Sequence, residues 1–239
     1  MLMACLYPLT VSNYDKFNKF DWLNPNYTLS ILETLKLSPA EVQYPHLTEK
    51  NMIYQYKIHG IPVQSGDIIC TTDGKPDLLP GEVWRLIGRL LPGEVDHIVI
   101  YTGPEGRCVE AGGKGVSMFE MPGGHWESER LLLERATLVD TFYGIVYPLR
   151  SLKLPSSEER RVREDIVGYC LAQLGKPYNL NFLDAEREEA FYCSQLAYKA
   201  YQRHGICLNT GRGMSNLPGS DKIIYPQEIW DGFYHRRGK

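Results

Sequence analysis

The chain has 239 residues, with 26 Lys and Arg against 29 Asp and Glu, so its formal net charge is −3. This length predicts one domain, or one domain with an appendage, and 43% hydrophobic with 23% charged residues excludes a disordered chain or a fibrous repeat. The slight acidic excess excludes the basic surface of a nucleic-acid-binding protein, and 6 Cys are too few for a disulfide scaffold.

The sequence carries no sign of a membrane anchor or a secretion signal. No uncharged apolar run approaches the ~18 residues that a membrane-spanning helix needs. The apolar segment 1–7 has no basic flank and ends at Pro8, so it is too short for a signal peptide. We therefore expect a cytoplasmic protein with no integral membrane segment, while its oligomeric state is left open.

The first half of the chain predicts an appendage followed by strands. Residues 1–60 are predicted to be an accessory segment packed on a catalytic domain that spans 61–239. The segment 66–72 follows a glycine and is rich in β-branched residues, which is typical of a strand. Residues 73–94 contain four Gly and three Pro, so we expect a long loop there. A loop of this length inside a compact domain usually has a functional role.

A β-hairpin is predicted next. The short apolar strand 96–101 is followed by the turn signal Gly-Pro-Glu-Gly at 103–106 and by a return strand at 107–111. Further strands are expected near 116–121 and 136–148.

Two helices are predicted in the last third of the chain. In the segment 156–174, Ser156 and Glu159 have the spacing of a capping box, and apolar residues recur every four positions. A second helix is expected from about Cys193 to His204, with an apolar stripe on one face. Strands followed by helices predict an α+β fold.

Cys193 is the strongest candidate for a nucleophile. It lies where an aromatic stretch opens into the second helix, and a thiol at a helix N-terminus is close to the positive end of the helix dipole. That position favours the thiolate, which is the reactive form. The alternative is a buried structural cysteine, which is how we interpret Cys70, Cys108 and Cys170.

His97 is the strongest candidate for a catalytic base, because the hairpin brings a carboxylate to it. If the turn is centred between Pro104 and Glu105, Val99 faces Glu110 across the hairpin. Glu110 is then the diagonal neighbour of His97 on the same face, with about 7–8 Å between Cα atoms. A carboxylate there orients an imidazole as the third member of a catalytic triad. A register slip of one residue would move Glu110 to the opposite face.

Other kinds of site are not supported by the sequence. It contains no phosphate-binding glycine loop, no H-E-x-x-H and no C-x-x-C motif. His204 and Cys207 are the nearest approach to a metal-ligand pair, and two residues do not make a zinc site. We therefore predict neither a metal nor an organic cofactor.

Five segments of the chain also follow one another in a recognisable order. They are Gly66–Ile69, Asp96–Gly103, Val109–Ala111 with a following Gly-Val, Gly175–Tyr178, and Tyr192–Tyr198. This ordered set resembles the circularly permuted branch of the NlpC-type, papain-like cysteine hydrolases, the YiiX-like group. The similarity covers roughly 66–204, and Tyr225–Ile229 resembles the closing segment of that family.

The resemblance implies a papain-like α+β fold, in which an antiparallel sheet or small barrel packs against helices. It also implies Cys193 as nucleophile, His97 as general base and then acid, and Glu110 as the orienting residue. Tyr178 matches a family tyrosine near the site, and Tyr192 and Ser194, beside the nucleophile, are expected to bind substrate or support the site.

The function implied by the resemblance is hydrolysis of an amide bond through a thioester, in a peptide or another small amide such as a cell-wall-type peptide. Two alternatives stay open at this point. One is an acyltransferase that passes the acyl group to a lysine or a lipid, and the other is a binding protein that kept the fold without catalysis.

Overall fold

The computed structural model describes residues 53–73, 93–126, 131, 134–135, 140–211 and 219–238. Most of the predicted long loop at 73–94 lies outside the described residues. Residues 1–52 also lie outside them, so the assignment of 1–60 as an accessory segment stays a prediction.

The described strands form two antiparallel sheets. A two-stranded hairpin pairs β1 with β2, and a six-stranded sheet has the order β6-β5-β4-β3-β7-β8. The strand bounds are β1 Gln55–Ile58, β2 Ile61–Gln64, β3 Ile68–Asp73, β4 His97–Tyr101, β5 Cys108–Gly112, β6 Gly115–Phe119, β7 Asp140–Val146 and β8 His235–Arg237. The predicted boundary at residue 60/61 falls in the turn between β1 and β2.

Three α-helices are described, and all of them follow β7 in the chain. Their bounds are α1 Ser156–Ala172, α2 Cys193–Gln202 and α3 Pro226–Gly232. Apart from β8, the described strands precede the helices along the chain, and the α+β class is confirmed. None of the described helices combines the length and the apolar character needed to cross a membrane.

The six-stranded sheet has an apolar layer on each face. On one face Ile68, Ile98 and Val109 pack with residues of α1 and α2, such as Ile166 and Leu196. On the other face, neighbouring strand residues pack under the β1–β2 hairpin; this second cluster includes Ile58, Val63, Ile69, Val99, Tyr101 and Ile145. Because side chains alternate along a strand, β4 contributes to both layers.

The predicted register of the β4–β5 hairpin is confirmed. Val99 pairs with Glu110, Ile100 with Val109, and Tyr101 with Cys108. The turn at Pro104–Gly106 places Glu105 in the left-handed region at φ 58°. The alternation along the two strands therefore brings Glu110 to the same face as His97.

The predicted capping box at the start of α1 is wrong. Ser156 is the first helical residue, Pro155 is the N-cap, and no side chain caps this end. Glu159 instead pairs with Arg163 one turn later at 2.9 Å. Arg163 also binds Asp67 at 2.8 Å, so this part of α1 is fixed to the start of β3.

Candidate functional site

Cys193 is the first residue of α2 and is 5% exposed. Tyr192 precedes the helix in an extended conformation, and its N–H donates to Oε1 of Gln195 at 3.2 Å. A long side chain at the third helical position thus closes the helix start, as in a capping box. The first N–H groups of an α-helix lack partners inside the helix, and Cys193 is at this end of α2.

His97 is the first residue of β4 and contacts both of its predicted partners. Its Nε2 lies 2.8 Å from Oε2 of Glu110. The Cys193 side chain is close enough to interact electrostatically with the imidazole. The structure thus brings Cys193, His97 and Glu110 together, with a hydrogen bond between His97 and Glu110.

The charges around the imidazole favour its protonated form. Burial alone would lower the pKa of His97, but the negative charge of Cys193, the hydrogen bond to Glu110 and the charge of Glu110 raise it to about 10. Burial alone would raise the pKa of Glu110, but the charge of Arg135 and the hydrogen bonds from His97 and Arg135 lower it to about 2. The arrangement therefore stabilises an imidazolium between a sulfur and a carboxylate.

Sequence reasoning missed Arg135, the guanidinium that binds Glu110. Its Nε donates to Oε1 of Glu110 at 2.9 Å and its Nη2 to Oε2 at 2.6 Å. The side chain is buried, and its Cζ lies 4.9 Å from the Phe119 ring and 4.7 Å from the Trp126 ring. The only cue in the sequence was indirect, since a buried carboxylate needs a cation and no spacing rule locates it.

Asp140, at the start of β7, binds the other edge of the same guanidinium. Nη1 of Arg135 donates to Oδ1 of Asp140 at 2.5 Å. Asp140 also accepts from Oγ1 of Thr71 at 2.6 Å and from Nε1 of Trp126 at 3.0 Å. The buried network therefore runs from His97 through Glu110 and Arg135 to Asp140.

A family model described as the permuted papain-like amidase enzyme, YaeF/YiiX, C92 family, matches residues 84–217. The match covers more than half of the chain and includes both Cys193 and His97. The chain belongs to this permuted papain-like amidase family. It is accordingly a cysteine hydrolase of the amidase and peptidase class. No curated protein and no solved structure is significantly similar to the chain.

Tyr178 lies near Cys193 in this C92 family member. It forms a single parallel bridge with Phe191, two residues before Cys193. Burial raises the pKa of the Tyr178 phenol well above its usual value, and the charge of Cys193 adds to this effect. The phenol therefore keeps its proton and can act as a hydrogen-bond donor near the sulfur.

Tyr192 and Ser194, the predicted neighbours of the nucleophile, both bind the backbone of Ile224. The Tyr192 hydroxyl accepts from the Ile224 N–H at 3.2 Å, and the Ser194 hydroxyl donates to the Ile224 carbonyl at 2.6 Å. Both residues are almost fully buried. These contacts fix the segment before α3 to the start of α2, which is a supporting role.

The other thiols that the structure describes do not share these surroundings. Cys70, Cys108 and Cys170 are fully buried, as predicted for core residues. Burial raises the pKa of Cys70 and Cys108 well above its usual value and that of Cys170 to about 12, so these three stay protonated near neutral pH. Cys207 is exposed and its sulfur contacts the carbonyl of Asn209 at 3.2 Å.

Metal binding finds no support in the part of the chain that the structure describes. No three His, Cys, Asp or Glu side chains there form a group that could hold an ion. The pair singled out in the sequence, His204 and Cys207, therefore gains no third ligand among the described residues.

Proposed function

We propose that this cysteine hydrolase cleaves an amide bond through a thioester, with Cys193 as nucleophile, His97 as general base and acid, and Glu110 as the orienting carboxylate. The observation that supports this proposal is the grouping of the three side chains at the N-terminus of α2, where His97 is hydrogen-bonded to Glu110 and interacts electrostatically with Cys193. A helix N-terminus and an adjacent imidazolium both favour a thiolate.

In the first half of the reaction the Cys193 sulfur attacks the carbonyl carbon of the substrate. Backbone N–H groups at the start of α2, with the Tyr178 hydroxyl, would donate to the developing oxyanion. The carbon–nitrogen bond then breaks, and His97 gives its proton to the leaving amine. The acyl group stays on the sulfur as a thioester.

In the second half, water completes the hydrolysis. His97, now neutral, takes a proton from a water molecule that attacks the thioester carbon. The carbon–sulfur bond breaks, the acid leaves, and the protonated His97 again faces the Cys193 thiolate. The substrate class that we propose is a peptide or small amide, with cell-wall-type peptides as the first candidates.

A series of variants tests the proposed roles. We expect Cys193→Ala to abolish release of the amine from peptidyl 4-methylcoumaryl-7-amides and from peptides of cell-wall type, while the folding transition is preserved. His97→Ala should lose more activity than Glu110→Gln, since the latter disturbs orientation and keeps the proton-transferring group. Retained turnover in Cys193→Ala would refute the mechanism.

Iodoacetamide labelling offers a test that needs no substrate. At neutral pH we expect Cys193 to react faster than Cys207, although Cys207 is exposed and Cys193 is nearly buried. His97→Ala should remove this advantage, because the imidazolium partner is lost. Labelling can be followed by mass spectrometry of the peptides. Slower reaction at Cys193 than at Cys207 would contradict the proposal.

A further inference from the structure

We propose that Arg135 is a positioning residue for the catalytic carboxylate, and that Asp140 keeps this carboxylate effective as an anion. The proposal rests on the proposed roles of Cys193, His97 and Glu110. It extends the site to a second pair of charged residues, which lie behind Glu110.

The geometry of the guanidinium fixes the plane of the Glu110 carboxylate. Nε and Nη2 of Arg135 bind the two carboxylate oxygens at 2.9 and 2.6 Å. This planar fork leaves Oε2 directed at Nε2 of His97, 2.8 Å away. An ammonium group has no plane and cannot impose this orientation.

The guanidinium is itself fixed on its remaining edge and packs against two aromatic rings. Asp140 binds Nη1 at 2.5 Å and also Nη2 at 3.0 Å. The ring centroids of Phe119 and Trp126 lie 4.9 and 4.7 Å from its Cζ. Arg135 therefore acts as a rigid template for Glu110 and not as a mobile surface cation.

The carboxylate of Asp140 offsets the positive charge that Arg135 places next to Glu110. Arg135 alone would cancel the charge of Glu110 and weaken its stabilisation of the imidazolium. With Asp140 present, the three groups carry a net charge of about −1. A protonated His97 then brings the buried cluster close to neutrality, which favours the ion pair with Cys193.

The groups that face the His97 imidazole come from several elements. Cys193 faces it from α2 and Glu110 from β5. Behind Glu110 lie Arg135 and also Asp140, which is the first residue of β7. On the other side, Cys70 of β3 and Tyr178 are close enough to Cys193 to feel its charge.

The geometric part of the proposal is tested with Arg135→Lys, which keeps the charge and removes the fork. The readout is the rate at which iodoacetamide alkylates Cys193 at pH 7. We expect this rate to fall by about tenfold or more, because small misplacements of a catalytic group have large effects on rate.

The electrostatic part is tested with Asp140→Asn, which keeps the shape and removes one charge. The readout is the ratio of the alkylation rates with iodoacetate and iodoacetamide as a function of pH. Only the anionic reagent is attracted by the imidazolium, so this ratio falls when His97 loses its proton, whatever the amount of thiolate. In Asp140→Asn we expect the midpoint of this pH dependence to move by about one pH unit to lower pH, because one negative charge near the imidazolium is lost.

Arg107→Lys is the matched control. Arg107 also binds a carboxylate through Nε and Nη2, that of Glu120 at 3.4 and 3.2 Å, but this pair is partly exposed and does not contact the site. We expect neither the alkylation rate nor the midpoint to change. If Arg135 and Asp140 had a purely structural role, their variants would have a lower melting temperature, but the midpoint measured on the folded protein would not change.

Folded Arg135→Lys and Asp140→Asn variants with the wild-type rate and midpoint would overturn the proposal. If these variants do not fold, Trp126→Phe takes their place, because it keeps an aromatic ring on Arg135 and removes the indole N–H that binds Asp140. We expect a smaller fall in the rate at which iodoacetamide alkylates Cys193. An unchanged alkylation rate would contradict the proposal. Failure of the proposed function looks different, since Cys193→Ala would then keep its turnover.

Discussion

At the scale of single residues, the site shows how a buried carboxylate stays ionised. Glu110 is 1% exposed, and an isolated anion at that depth would take up a proton. Its two oxygens receive three hydrogen bonds from His97 and Arg135. These bonds stabilise the charged form in the folded state and are absent in the unfolded chain, so the carboxylate links stability to pH.

We predict that the stabilisation by Glu110 is lost in acid. The pKa of Glu110 is about 2 in the folded protein, against an ordinary value of 4.5 for a glutamate. The contribution is therefore fully present above about pH 4.5 and disappears as the pH falls towards 2; its size is about 3 kcal/mol. Urea denaturation gives the free energy of unfolding of wild type and of Glu110→Gln. We expect the difference between the two values to become smaller as the pH falls from 5 to 3.

The control for this prediction is Glu120→Gln. Glu120 binds Arg107 in a partly exposed pair, and such pairs contribute about 1 kcal/mol or less. We expect its effect on stability to be small at pH 5 and at pH 3. A difference between wild type and Glu110→Gln that does not depend on pH would contradict the assignment.

At the scale of elements, one side chain connects the start of α2 with the loop that precedes it. Oε1 of Gln195 accepts from the Tyr192 N–H and from Nδ2 of Asn179 at 3.0 Å. Its Nε2 donates to the carbonyls of Ala185 and Arg187 at 3.2 and 2.6 Å. A single buried amide therefore satisfies four polar groups and fixes the helix end that carries Cys193.

We predict that Gln195→Leu destabilises the fold by about 2–4 kcal/mol, because it leaves several buried polar groups without partners. Urea denaturation measures this loss. Gln202 is the exposed last residue of the same helix, and Gln202→Leu should change stability by about 0.5 kcal/mol or less. Equal effects of the two substitutions would show that the contacts of Gln195 do not hold the helix start.

Two glycines in different elements should respond to alanine in opposite directions. Gly168 lies within α1, and a Cβ added there would meet no neighbouring atom within 4 Å, so Gly168→Ala should stabilise by about 0.5–1 kcal/mol. Gly115 begins β6 at φ +78°, and a Cβ there would collide with the carbonyl oxygen of Lys176. Gly115→Ala should destabilise by more than about 1 kcal/mol. Melting temperatures that shift in the same direction would contradict this interpretation.

At the scale of the whole molecule, the local parts of the site were predictable from sequence. The turn at 103–106 determines the register of β4 and β5, so the neighbourhood of His97 and Glu110 follows from alternation along the strands. The position of Cys193 at a helix start follows from the apolar stripe of α2 and from the aromatic residues before it.

Contacts between distant parts of the chain were not predictable in the same way. Arg135 lies 25 positions after Glu110, and no periodicity connects the two. The capping-box pattern predicted Ser156 as the N-cap of α1. The helix begins one residue earlier than this pattern requires, so Pro155 is the N-cap. The pairing of β8 with β7 joins the last strand to the middle of the chain, and only three-dimensional packing specifies it.

The order of strands and helices along the chain has a consequence for biosynthesis. The segments that carry His97, Glu110, Arg135 and Asp140 leave the ribosome before the helix that begins at Cys193, about fifty residues later. The residues that we propose to handle the proton are thus translated several seconds ahead of Cys193, at about 5–20 residues per second. Under the proposed mechanism, a nascent chain that stalls in this interval lacks its nucleophile, and activity becomes possible only when about the last fifth of the chain has been translated.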